Sequence, residues 1–205
     1  MRVKICGITR PADAVAAEAA GADAIGLMFV AESPRVIGMA LAREISAAVG
    51  PLLTRVGVFR DAPLEQVLEV AAELRLGAVQ LHGSEPPEYV ERVRQDLPVI
   101  NAVSYRGQTR TLLEGEPGDA LLVDGLSPGS GKQFDWSASG ELCGVPRLIL
   151  AGGLTPENVA DGVRRFQPYG VDVSSGVEES AGVKDHSLMS AFVTRAREAS
   201  RGTTR

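Results

Sequence analysis

Short apolar runs rich in valine and isoleucine recur eight times along this chain, and a stretch of helical character separates each from the next. Runs of that length are buried strands, and their alternation with helices is the pattern of repeated βα units on a parallel sheet. Strands are expected at Arg2 to Gly7, Ala24 to Phe29, Arg55 to Phe59, Ala78 to Leu81, Val99 to Val103, Ala120 to Val123, Arg147 to Leu150 and Gly170 to Val173. Eight such units in 205 residues sit at the short end for a closed barrel and leave little room for more. Residues 1–205 are therefore read as one α/β domain, a (β/α)8 barrel.

Thr9 before Pro11, Asp61 before Pro63 and Glu65, Ser84 before Pro86 and Glu88, and Thr155 before Pro156 and Glu157 each set a capping side chain ahead of a proline or an acid. Each is expected to start a helix. The helix Ala12 to Ala20 is expected to end at Gly21 and to pack through Ala14, Val15, Ala19 and Ala20, and Gly77 after Leu76 should end another in the same way. From Tyr105 to Gly118 the glycines, Pro117 and polar residues weaken any helical reading.

An apolar share of 44% with only 4% aromatics suits helices packed closely on strands. A net charge of −5 and a pI near 5.2 argue against nucleic acid or an anionic membrane as partner, since either wants a basic surface. The expected partner is a small molecule, and the opening Met-Arg-Val-Lys-Ile-Cys-Gly has no secretory pattern, which points to the cytoplasm. Two cysteines, Cys6 and Cys143, and two histidines, His82 and His186, argue by count against a disulfide framework or a Cys/His metal site, so no metal is expected. No helix shows an exposed apolar stripe long enough to choose between monomer and homodimer.

Active sites of such barrels lie at the C-terminal ends of the strands, so the polar residues after each apolar run are the candidates. Cys6 ends the first strand and Asp124 the sixth, where a thiolate can take a proton and a carboxyl can give one. Each also fits a plain structural use, Cys6 as a small buried hydrophobe and Asp124 as a turn-capping acid before Gly125. The loop Gly125 to Gly131 is long and glycine-rich enough to reach over a ligand. Arg35 after the second strand offers a planar fork for a carboxylate, or is a solvated surface group. His82 after the fourth either lines the site or is a satisfied structural histidine. Lys4 and Asp172 lie within strands, where a charge is costly unless paired, either as mutual partners or as polar groups at a phosphate end.

Gly152 and Gly153 follow the seventh strand, and Ser174, Ser175 and Gly176 the eighth. Exposed N–H groups in this pair of loops are where many barrels hold a phosphate, so a phosphorylated substrate is expected.

Five motifs in order, Lys4-Ile5-Cys6-Gly7-Ile8-Thr9, Ser33-Pro34-Arg35, Gln80-Leu81-His82-Gly83, Gly152-Gly153-Leu154 with Pro156-Glu157-Asn158-Val159, and Asp172-Val173-Ser174-Ser175-Gly176-Val177-Glu178, resemble the phosphoribosylanthranilate isomerase family. Ala151 and Ser180-Ala181-Gly182 depart from that family's usual residues without touching a catalytic position. The resemblance implies an Amadori rearrangement in tryptophan biosynthesis, which needs no cofactor, with Cys6 as general base, Asp124 as general acid, Arg35 on the anthranilate carboxylate, and Gly152, Gly153, Ser174, Ser175 and Gly176 around the phosphate. For those roles the thiol must be lowered or paired with a developing cation, and the carboxyl raised. The competing readings are another phosphate-binding barrel enzyme, such as a pentulose-phosphate epimerase, and a silent sugar-phosphate binder on the same scaffold.

Overall fold

The computed structural model describes residues 1–105, 113, 115–125 and 140–202. Eight parallel strands, β1 (Arg2–Ile5), β2 (Ala24–Met28), β3 (Thr54–Phe59), β4 (Ala78–Leu81), β5 (Val99–Ser104), β6 (Ala120–Asp124), β7 (Leu148–Leu150) and β8 (Gly170–Val173), pair in chain order and close by β1 against β8. The expected barrel and all eight strands are there. β1 stops at Ile5 rather than Gly7 because Gly7 turns the chain at φ +71°, a left-handed conformation that glycine adopts without strain. β7 begins at Leu148, after Arg147 at φ +49°.

The α-helices whose bounds lie among the described residues are α1 (Pro11–Ala19), α2 (Met39–Ala47), α3 (Leu64–Leu74), α4 (Pro87–Arg94), α5 (Val159–Phe166) and α6 (His186–Arg201). None of these is long and apolar enough to cross a membrane. The helices expected after Thr9, Asp61, Ser84 and Thr155 form, but none of the four side chains caps them. The cap positions fall at Arg10, Pro63, Pro86 and Asn158. Asp61 instead accepts from the Ser84 N–H at 2.7 Å and so ties the loops after β3 and β4 together. Thr155 Oγ1 accepts from the Glu157 N–H at 3.2 Å, closing a turn ahead of α5. Among these helices a side-chain cap is made at α6, where Asp185 accepts from the N–H groups of Ser187 and Leu188.

Two further readings need correction. α1 packs through Asp13, Ala14 and Ala17, while Val15 and Ala19 face solvent. Burial of Asp13 is tolerated because Arg10 grips it with two donors, His186 lies 2.9 Å away and the Lys184 N–H adds a third bond. α3 ends not at Gly77 but with Arg75 in the left-handed conformation, φ +51°. The stretch Tyr105 to Gly118 and the loop Gly125 to Gly131 lie largely outside the described residues.

The apolar core has two parts. The larger lies between strands and helices and buries Ile5, Leu27, Phe59, Leu81 and Phe192 completely. Each such side chain stabilises the fold by about 1.5–3 kcal/mol relative to exposure. The smaller part, Ala102, Leu122, Ile149 and Ala151, plugs the barrel interior. Above that plug the inward positions turn polar. Beyond β8 a short antiparallel hairpin, β9 (Glu178–Ser180) with β10 (Val183–Lys184), turns through Gly182 at φ +82°.

Candidate active site

Inward positions of β1, β4, β6 and β8 bring Cys6, Gln80, His82, Asp124 and Asp172 around one cavity of about 230 Å³ at the C-terminal mouth, with Arg35 and Ser174 on its rim. Period-two alternation explains the selection: Lys4 and Cys6, Gln80 and His82, Leu122 and Asp124, and Asp172 and Ser174 are two apart and share the inner face of their strands.

Cys6 is anchored by its backbone, whose N–H donates to the Val173 carbonyl at 2.8 Å. Its side chain occupies space that Gly26 leaves open, since a Cβ at Gly26 would stand 2.6 Å from Cys6 Sγ. Burial pushes the thiol above its ordinary value, partly offset by the Lys4 ammonium, while the Asp172 carboxylate adds to the rise and Lys184 opposes it. The thiol is therefore not lowered, and a cation arriving next to it has to do that work.

Asp124 ends β6 with Oδ1 accepting from the Gly125 N–H at 2.7 Å. Burial raises its carboxyl to about 6 against the pull of the Gly125 N–H, and the Asp172 carboxylate raises it further. The two groups thus have the opposite tuning of an acid and a base only for Asp124. An acid near neutrality is what proton donation to a substrate oxygen requires.

Lys4 Nζ meets Asp172 Oδ1 at 2.8 Å, both side chains buried. They are mutual partners. Burial depresses the Lys4 ammonium, but Asp172 and Cys6 more than compensate and hold it charged. Asp172 still lines the cavity, and among the described residues its Oδ2 accepts no hydrogen bond.

Arg35 is no surface arginine. It is buried, and its Nε and Nη2 donate to Glu178 Oε1 and Oε2 at 2.7 and 2.6 Å. Gly7 makes room for its stem, which a Cβ there would strike.

His82 has a buried Nε2 with no partner among the described residues, and so does the Oε1 of Gln80. Burial, aided by Arg60 and Lys4, lowers the imidazole to about 4, so it is neutral at physiological pH. Two unpartnered polar atoms lining the same cavity are costly to an empty site and useful to a polar ligand. Gln80 was legible only as part of a motif, with no role assigned. A polar residue two before His82, on the same face, was the available signal.

Gly152 and Gly153 sit in left-handed turns at φ +81° and +67°, and among the described residues their N–H groups donate to nothing. The following Asn158 fixes this loop, donating to the Gly153 carbonyl at 2.9 Å and accepting from the Thr155 N–H at 2.8 Å. Gly176 packs so closely on Leu154 that a Cβ would collide with the carbonyl oxygen. The structure thus joins the β7 and β8 loops, Gly152, Gly153, Ser174, Ser175 and Gly176 together, on one side of the mouth.

A closed (β/α)8 barrel with one cavity at its C-terminal mouth, lined by a buried thiol, a carboxyl and polar atoms that have no partner among the described residues, has the build of the barrel enzymes that act on small polar substrates. The sequence profile of "N-(5'phosphoribosyl)anthranilate (PRA) isomerase" matches residues 3–195, and the chain belongs to that family. It is 45% identical over 203 residues to the N-(5'-phosphoribosyl)anthranilate isomerase of Rubrobacter xylanophilus, covering 96% of this chain and 98% of that one. Its fold is similar to the phosphoribosyl anthranilate isomerase of Thermus thermophilus, with TM-score 0.90, 46% identity and coverage of 97% and 99%. It is also similar, at TM-score 0.82, 36% identity and coverage of 97% and 99%, to a phosphoribosyl anthranilate isomerase in complex with reduced 1-(o-carboxyphenylamino)-1-deoxyribulose 5-phosphate.

Proposed function

We propose that this protein converts N-(5'-phosphoribosyl)anthranilate to 1-(2-carboxyphenylamino)-1-deoxyribulose 5-phosphate in the cytoplasm, as a step of tryptophan biosynthesis. Family membership over nearly the whole chain supports the reaction. The observation that carries the mechanism is the Asp124 carboxyl, raised to about 6 on the cavity that also holds Cys6.

Protonated Asp124 donates to the ribose ring oxygen, the ring C1–O bond breaks, and the nitrogen lone pair forms an iminium at C1. The Cys6 thiolate, whose own proton is the one carried by Asp124 in this tautomer, then removes the C2 proton, and the electron pair flows to the iminium to give an enolamine. Its tautomer is the aminoketose, with the same atoms as the substrate and no change of redox state. The iminium beside the sulfur favours the thiolate until it takes the C2 proton, which offsets the raised pKa of the free thiol. The phosphate rests on the N–H groups of Gly152 and Gly153 and on Ser174, Ser175 and Gly176. Arg35 takes the ring carboxylate, and Gln80, His82 and Asp172 meet the sugar hydroxyls. Two charged handles fix one orientation between acid and base.

The test generates the unstable substrate in place, adds purified protein with EDTA, and follows loss of anthranilate-type fluorescence. Rapid conversion that is lost in both Cys6→Ser and Asp124→Asn is expected. Conversion that survives either substitution at the wild-type rate removes that residue's role, and no conversion by the wild type removes the reaction.

A further inference from the structure

The β9–β10 hairpin has no part in closing the barrel, yet it carries two charged side chains into the site wall. Glu178 is buried against Arg35 on one side and Lys184 on the other, with Lys184 Nζ 2.8 Å from Glu178 Oε1. Lys184 is itself fully buried and also donates to the Ser174 carbonyl at 3.1 Å. The chain of contacts therefore runs from the β2 loop through the hairpin to the loop after β8.

Counting charge gives Arg35 and Lys184 positive and Glu178 negative, a buried cluster with one net positive charge. An isolated buried charge is expensive, and an anion arriving at the cavity would complete it. Geometry specifies where. Glu178 occupies Nε and Nη2 of the guanidinium, which has five N–H donors. The remaining three, two on Nη1 and one on Nη2, have no partner among the described residues, and two parallel N–H groups on that end match a carboxylate.

We propose that Glu178, held by Lys184, is the positioning residue of Arg35: it grips the Nε/Nη2 edge of the guanidinium so that the Nη1/Nη2 edge meets the substrate's ring carboxylate. This rests on the reading of Arg35 as the carboxylate handle. Without Glu178 the arginine has other rotamers open to it and the cavity gains charge but loses geometry.

Kinetics with two substrates test the proposal, the carboxylated substrate and an analogue made from aniline, which lacks the carboxylate. For Glu178→Gln, KM for the carboxylated substrate should rise about ten- to hundredfold, with kcat nearly unchanged and the aniline analogue unaffected. Glu178→Asp, which keeps the charge and folds more readily, should show the same selectivity with a smaller rise. Equal losses on both substrates would mean that Glu178 merely supports the wall, and the proposal falls. Arg35→Met separates the two layers: if it discriminates between the substrates while both Glu178 variants do not, the positioning role alone is wrong. If it treats both substrates as the wild type does, the carboxylate reading and the proposal fall together.

Discussion

Lys4 and Asp172 are cross-strand partners, paired in register on β1 and β8, and their side chains form a 2.8 Å ion pair on the barrel seam below Cys6. The pair bridges the seam where β1 and β8 close the barrel, and its two charges act in opposite directions on the thiol two residues on. Removing either member leaves a charge buried alone, which typically costs about 3–5 kcal/mol. Lys4→Met and Asp172→Asn should each lower the urea midpoint accordingly, while the paired replacement Lys4→Met with Asp172→Leu should recover most of the loss. A single variant as stable as the wild type would show that the seam does not depend on the pair.

The pH profile of kcat/KM follows from the two reacting groups. Asp124 titrates at about 6, and burial holds Cys6 above its ordinary value, so the ordinary state at neutral pH is carboxylate with thiol. The reactive state, carboxylic acid with thiolate, is a minor tautomer of that same protonation level and keeps a constant share between the two pKa values. The profile should fall below pH about 6, stay flat across neutrality, and fall again above the thiol's pKa. A profile still rising steeply between pH 7 and 8 would contradict it.

The same carboxyl links activity to stability. Its folded pKa is raised, so its contribution to stability is present below the unfolded value, near 3.9, and is lost as pH rises through about 6. A shift of that size corresponds to about 3 kcal/mol. Asp124→Asn should therefore be more stable than the wild type at pH 8, by on the order of 2–3 kcal/mol in urea unfolding, with the advantage gone at pH 4. Equal stability at both pH values would mean that the carboxyl is not strained in the fold.

His82 has the opposite sign. Its folded pKa is lowered to about 4, so the stability it contributes is present above the unfolded value near 6.5 and is lost as pH falls through 4. His82→Gln should flatten the decline in unfolding midpoint between pH 6.5 and 4.

Placement of the thiol depends on a missing side chain. A Cβ at Gly26 would stand 2.6 Å from Cys6 Sγ and 3.0 Å from Cys6 Cα, so Gly26→Ala must displace the base. Turnover should fall about a hundredfold, with KM changed far less, because displacement near 1 Å is enough for such a loss. Wild-type kcat in that variant would show that the position of the thiol is not critical.

Much of this was legible in the sequence because barrel strands announce themselves. Val3, Ile5, Leu121, Leu122 and Val123 belong to apolar runs whose ends lie at the cavity, and the glycine pair Gly152 and Gly153 marks the turn after β7. Helix starts were legible, but the capping side chains were not. Asp61 accepts from Ser84 N–H across a tertiary contact, and Thr155 from Glu157 N–H in a local turn ahead of the helix. The helix ends at Arg75 and Gln167 take left-handed turns without glycine, so no residue marked them. The β9–β10 hairpin is too short to show a period. Its contact between Glu178 and Arg35 spans 143 positions, a separation that no local pattern encodes.

The most direct test of the account is a single-turnover measurement, rapid mixing of excess protein with freshly generated substrate while anthranilate-type fluorescence is followed. With Cys6→Ser the rate constant should fall at least about a hundredfold while half-saturation by protein stays close to that of the wild type, as expected for loss of a base that acts only in the proton transfer. A Cys6→Ser protein that completes the turnover at the wild-type rate would contradict the account, because the C2 proton would then be leaving to some other group.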